Sequence, residues 1–143
     1  MNRIKLAAAV LAAAPALPPL RAGDSPWGIA AHPHSEMEWK NIDRQLGMMR
    51  EAGMTSLRHD MKFSGIARKK GEYDFRRYDE LLARLDEYGM HFLPILEGYD
   101  WEIEKSRPDA VPLYKHPEEW RKFVRACAEH YKGRLKVWEI WNE

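Results

Sequence analysis

From Trp27 onward, apolar residues come in two alternating arrangements: short continuous runs, and single faces at helical spacing. The first run, Trp27-Gly28-Ile29-Ala30, predicts a short buried strand. Ser35-Glu36-Met37-Glu38 has the layout of a capping box, with Ser at the N-cap and Glu three residues on. The helix it opens carries Met37, Ile42, Leu46 and Met49 on one face, and Gly53 supplies a stop. Thr55-Ser56-Leu57-Arg58 predicts a second strand, and 67–71 reads as a polar loop. Asp74 is placed to cap the next helix, whose apolar positions are Tyr78, Leu81, Leu82, Leu85 and Tyr88 before Gly89. The third strand is His91 to Leu96. Pro94 within it cannot donate to a ladder and predicts a bulge or local distortion. After a longer loop from Glu97 to His116, Pro117 with Glu118 and Glu119 suits the first turn of a helix. That helix runs through Trp120, Phe123, Val124 and Cys127 to Gly133, and a fourth strand spans Leu135 to Trp141.

The order βαβαβαβ, with short connections, predicts an α/β fold: parallel strands covered by helices. A doubly wound open sheet would show a glycine-rich phosphate turn after its first strand, but that turn here is Ala31-His32-Pro33-His34. A TIM (β/α)8 barrel is therefore favoured. Such a barrel takes about 250 residues, and four strands fill half of one. The expected architecture is the N-terminal half, β1 to β4, over residues 23–143. Half a barrel exposes strand edges and would fold poorly alone unless paired with another copy.

Composition narrows the reading further. With 23 basic and 22 acidic residues among 143, the net charge of +1 gives no electrostatic reason to expect a nucleic-acid partner. The single cysteine, Cys127, lies in an apolar helical pattern and reads as a small buried hydrophobe, not a nucleophile. Residues 1–22 differ in kind: a basic start, an Ala- and Leu-rich stretch, then small residues at Ala14, Ala16 and Ala22. This is the layout of a secretory signal peptide, and it predicts a secreted or periplasmic protein. No later run is apolar enough for a membrane span, so no membrane role is expected beyond the leader. Oligomeric state is left open.

In a parallel barrel the active site forms at the C-terminal strand ends. Those ends carry His32 and His34, then Arg58, His59 and Asp60, then Glu97, Tyr99, Asp100 and Trp101, then Trp141, Asn142 and Glu143. Glu139 and Glu143 share a face of the fourth strand, but four residues of strand separate them by roughly 13 Å. A retaining glycosidase needs its carboxyl groups about 5–5.5 Å apart and an inverting one roughly 6.5–9.5 Å, so this pair serves neither. Glu139 reads instead as a buried structural carboxylate paired with an arginine from a neighbouring strand.

Trp138-Glu139-Ile140-Trp141-Asn142-Glu143 resembles the strand-four signature of clan A glycoside hydrolases, which are retaining (β/α)8-barrel enzymes. Gly71-Glu72-Tyr73-Asp74-Phe75 leading into Tyr78-Asp79, and Gly89 through Leu96, add a likeness to family 39 β-xylosidase-like proteins and to families 42 and 5. The likeness covers about residues 27–143. It implies that Glu143 is the general acid/base, that Asn142 hydrogen-bonds the sugar 2-hydroxyl, and that Arg58 helps hold and charge the nucleophile. It places that nucleophile on strand seven, which this sequence does not include. Several families of the clan carry a His at the end of strand three, where this chain has Glu97-Gly98. A carbohydrate substrate is implied. From their strand-end positions alone, His32 and His34 read as sugar-contacting or solvent-exposed histidines, and Trp101 as a sugar platform or a loop-packing residue.

No cofactor or metal site is expected, because His32-Pro33-His34 offers two closely spaced ligands with no third in sequence. Two functions stay open: a secreted retaining glycoside hydrolase, or a non-catalytic carbohydrate-binding or decayed fragment of such a barrel. The DNA immediately after codon 143 distinguishes them.

Overall fold

A computed structural model of the chain describes residues 26–33, 38–69, 72–98 and 116–142. Its elements in chain order are β1 (Gly28–Ala30), α1 (Trp39–Glu51), β2 (Ser56–Lys62), α2 (Phe63–Ile66), β3 (Ala67–Lys69), β4 (Glu72–Tyr73), α3 (Arg76–Glu87), β5 (His91–Glu97), α4 (Pro117–His130) and β6 (Glu139–Ile140). β1, β2, β5 and β6 form one sheet in that order, and all three pairings are parallel. β3 and β4 make a small antiparallel pair, where the sequence suggested only a polar loop. The expected leader, residues 1–22, lies outside the described residues.

In a parallel sheet, paired residues share a face and neighbours along a strand alternate. The register sets Leu57 beside Phe92 and Met61 beside Leu96 on one face. These four join the helix residues Ile42, Leu46, Met49, Leu81, Leu82, Leu85, Phe123 and Cys127 in a single buried core. The opposite face sets Arg58 beside Leu93, Asp60 beside Ile95, Lys62 beside Glu97, and Glu139 beside Ile95. One face of the sheet is thus oily and helix-covered, and the other carries a ladder of charges.

The helices bury the faces their spacing predicts. Gly53, Gly89 and Gly133 follow α1, α3 and α4 with φ of 80°, 63° and 83°, the left-handed turn that glycine adopts at no steric cost. Pro117 opens α4 with Glu118 and Glu119 in its first turn. Among the described residues, no helix is long and apolar enough to cross a membrane.

Several expectations are corrected. Helix α1 starts at Trp39 with Glu38 extended at its N-cap (φ −62°, ψ 142°), so Glu38 is not the third helical residue of a capping box. Ser35 and Met37 lie outside the described residues. Asp74 stands one place before the N-cap of α3, Phe75, yet its Oδ1 still accepts from the Arg76 N–H at 3.1 Å. β2 continues four residues beyond Arg58. The two outer strands are not buried: Trp27 and Ile140 are exposed, because among the described residues β1 and β6 each have a neighbour on one side only. The fourth strand contracts to two residues, with Val137 exposed ahead of it.

Pro94 causes no bulge and sits in register opposite His59. The reason is directional. The His91 N–H reaches the Thr55 carbonyl on the β2 side, whereas the Leu96 carbonyl accepts from Trp141 on the β6 side. Pro94 has the parity of Leu96 and so faces β6, whose pairing begins only at Glu139 opposite Ile95. The missing donor therefore falls where no partner strand is paired among the described residues.

Candidate functional site

The charged face converges on Arg58. Its Nε donates to Glu139 Oε2 at 2.7 Å, and its Nη2 donates to Glu139 Oε1 at 2.5 Å and to Asn142 Oδ1 at 3.0 Å. Because β5 lies between β2 and β6, this guanidinium spans an entire strand. Ile95, on the same face between the two partners, is fully buried. The expected arginine partner of Glu139 is present, but it comes from the next strand but one, and the pair is about one-third exposed rather than buried. Hydrogen bonds from Arg58 hold the Glu139 carboxyl below the usual glutamate range. A planar guanidinium has five donors in a fixed fork, which is why one arginine can orient both a carboxylate and an amide.

Asn142 is also fixed through the backbone. The Trp141 N–H donates to the Leu96 carbonyl at 2.9 Å. Trp141 adopts φ 64°, alone in this region among the described non-glycine residues. A left-handed conformation costs an aromatic residue about 1–2 kcal/mol, and such strain collects at functional sites. The Trp141 indole meets the Trp120 ring edge-on at 5.9 Å, which ties this turn to α4.

A second cluster forms where β1 ends. The last β1 pairing is Ala30 with Arg58, so β2 runs on to Lys62 with an open edge. The Tyr78 hydroxyl from α3 closes part of that edge. It accepts from the Lys62 N–H at 3.0 Å and donates to the Asp60 carbonyl at 3.3 Å. His32 lies over the same edge, with Nδ1 3.2 Å from Asp60 Oδ2 and its ring 5.8 Å from that of His59. Reached from the strand edge, His59 and Asp60 can converge although consecutive strand residues point to opposite faces. Burial, partly offset by the Asp60 charge, pushes the His59 imidazole down to about 4. The cluster lines a cavity of about 250 Å³ with Lys62, Ser64 and Tyr78. Lys62 Nζ lies 3.6 Å from Glu97 and 3.9 Å from Asp60.

Of the residues singled out in the sequence, Arg58 and Asn142 are brought together, and His32 joins His59 and Asp60 instead. Arg58 lies within β2, not at its end. His34, Tyr99, Asp100, Trp101 and Glu143 lie outside the described residues. Tyr78 and Lys62 join the site without a sequence motif that marks them. The alternation Leu57, His59, Met61 against Arg58, Asp60, Lys62 is a period-two signal that could have revealed the longer strand and its charged face.

No family model matches this sequence. It is similar to endo-1,4-beta-xylanase B of Neocallimastix patriciarum, 29% identical over 128 residues, which is 85% of this chain and 14% of the xylanase. Among solved structures, it resembles a family 39 glycoside hydrolase from the gut symbiont Bacteroides cellulosilyticus WH2, with a TM-score of 0.62 at 18% identity over 80% of this chain and 24% of that one. A beta-galactosidase from Marinomonas ef1 gives a TM-score of 0.66 at 20% identity, over 81% of this chain and 21% of the galactosidase. These likenesses show the fold: the parallel α/β unit matches part of a glycoside hydrolase barrel. The chain thus resembles glycoside hydrolases, family 39 among them, as its strand-four signature implies. It spans about one-seventh of the xylanase and under a quarter of these structures.

Proposed function

We propose that this chain forms the front half of a retaining glycoside hydrolase, with Glu143 as the general acid/base. The observation that carries the reading is the Arg58 fork, which fixes Asn142, the residue immediately before Glu143, against the sheet. An acid/base must act at one position on the glycosidic oxygen, and a rigid support for its neighbour serves that need. Asn142, held through its side-chain oxygen, has no partner for its amide NH2 among the described residues, and that group is placed to donate to a sugar hydroxyl. Glu139 is bound by Arg58 and stands four residues before Glu143 in sequence, so we read it as a support for this turn rather than as the second reacting carboxylate.

The chemistry then takes two steps. Glu143 in its acid form protonates the leaving oxygen while a carboxylate nucleophile attacks the anomeric carbon. The resulting Glu143 carboxylate draws a proton from water, which displaces the nucleophile and restores the acid. The resemblance places that nucleophile on a seventh strand, outside these 143 residues. A carbohydrate is the substrate, and the basic, Ala-rich leader supports export.

The test uses a complete barrel, with strands five to eight supplied by continuation of the reading frame or by fusion. Glu143→Gln is compared with wild type on aryl glycosides of poor and good leaving groups. A large loss on the poor leaving group, with a smaller loss on the good one, is expected. Unchanged turnover of the poor leaving group would remove Glu143 from this role.

A further inference from the structure

We propose that His32, His59 and Asp60 form a site for a divalent transition-metal ion of the zinc class, pinning the end of β1 to the open edge of β2. Each residue offers one ligand atom, and these atoms lie within 4.8 Å of one another. Around zinc, with bonds of about 2.0–2.2 Å, tetrahedral donors stand about 3.4 Å apart, so side-chain shifts of roughly 1 Å complete the set. Two imidazole nitrogens and one carboxylate suit zinc, cobalt or nickel better than calcium or magnesium.

The His32–Asp60 contact could be an ordinary hydrogen bond. That reading leaves two atoms unexplained. Asp60 Oδ1 and His59 Nδ1 are both buried, and neither has a hydrogen-bond partner among the described residues. Buried acceptors are rarely left bare, since each costs about 1–3 kcal/mol of lost hydration. The His59 ring also donates to the Ala31 backbone, the kind of outer support that orients metal-binding imidazoles. Lys62 is the opposing feature, with Nζ 3.9 Å from Asp60. It is half exposed and lies nearer to Glu97, at 3.6 Å, so an arriving cation displaces it toward a partner already in place.

This site stands apart from the hydrolase reading, because protonation by a carboxyl group and attack by a carboxylate need no metal. Its effect is to clamp the strand ends together, and its test reads binding rather than turnover. The 143-residue chain is stripped with EDTA, then titrated with zinc by calorimetry and with cobalt by visible absorption. A single equivalent should bind, giving a cobalt d–d spectrum and a higher Tm. His32→Ala, at an exposed position, and the isosteric Asp60→Asn should each weaken zinc binding at least about tenfold. His130→Ala, whose imidazole pairs with Asp79 elsewhere, should leave it unchanged. No binding, or binding untouched by both the His32 and Asp60 variants, overturns the proposal.

Discussion

Arg58 and Glu139 stand on strands that do not touch, yet their side chains meet through two hydrogen bonds of 2.7 and 2.5 Å across the intervening β5. The short outermost strand β6 is thereby tied to the sheet by a side chain as well as by two backbone pairings.

That tie gives the fold a signed pH dependence. Arg58 lowers the Glu139 pKa in the folded state. The stabilisation is therefore complete above the unfolded glutamate pKa and is lost as pH falls through the lower, folded value. Urea unfolding between neutral pH and about pH 3 should show this loss in wild type and a weaker one in Arg58→Met. Parallel pH profiles for the two proteins would contradict the assignment.

Tyr78→Phe removes the hydroxyl that serves the Lys62 N–H and the Asp60 carbonyl. The ring stays buried, so the loss is chiefly one of hydrogen bonding, about 1–2 kcal/mol. Amide exchange at Lys62 should accelerate more than at Ile95, deep in the sheet. Equal protection of Lys62 in both proteins would show that something else closes this edge.

Cys127 is fully buried, and desolvation raises its thiol to about 12. The thiolate that reacts is thus scarce at pH 8 in the native chain. Labelling by a disulfide reagent should therefore follow unfolding, with a rate that climbs with urea. Prompt labelling of the native chain would show that α4 opens locally.

Phe123 packs edge-on against Phe63 at 5.3 Å and tilts against Trp120 at 5.8 Å, and is wholly buried. Phe123→Ala should cost about 3–5 kcal/mol, read as a fall in the urea midpoint at constant slope. Because Trp120 meets Trp141, the same variant should broaden the Asn142 amide resonance. An unchanged Asn142 signal would mean that the turn is held from the sheet alone.

The helices were legible because each buries one face, and Ile42, Leu46, Met49, Leu81, Leu82 and Leu85 recur at that spacing. The parallel order followed from their alternation with apolar runs. The Glu139 pairing was legible too, since a glutamate inside a strand needs a cation. The length of β2 is legible only as a period-two alternation, because beyond Arg58 its apolar residues mark just the helix-covered face, and a search for a continuous apolar run stops at Arg58. The His32, His59 and Asp60 cluster joins residues separated by more than 25 positions, a proximity created by where β1 stops. The harmlessness of Pro94 depends on which side its nitrogen faces, and no run of residue types encodes that.

The Tyr78 hydroxyl also has a consequence for how molecules of this chain meet. By occupying backbone groups of Asp60 and Lys62, it denies that stretch of β2 to a strand from another molecule. The outer rim of β6, flanked by the exposed side chains of Val137 and Ile140, has no such guard among the described residues. For these 143 residues taken by themselves, sheet-to-sheet clumping in concentrated solution should therefore start from the β6 rim. A lysine in place of Val137 should suppress that clumping more than the same change at Trp27.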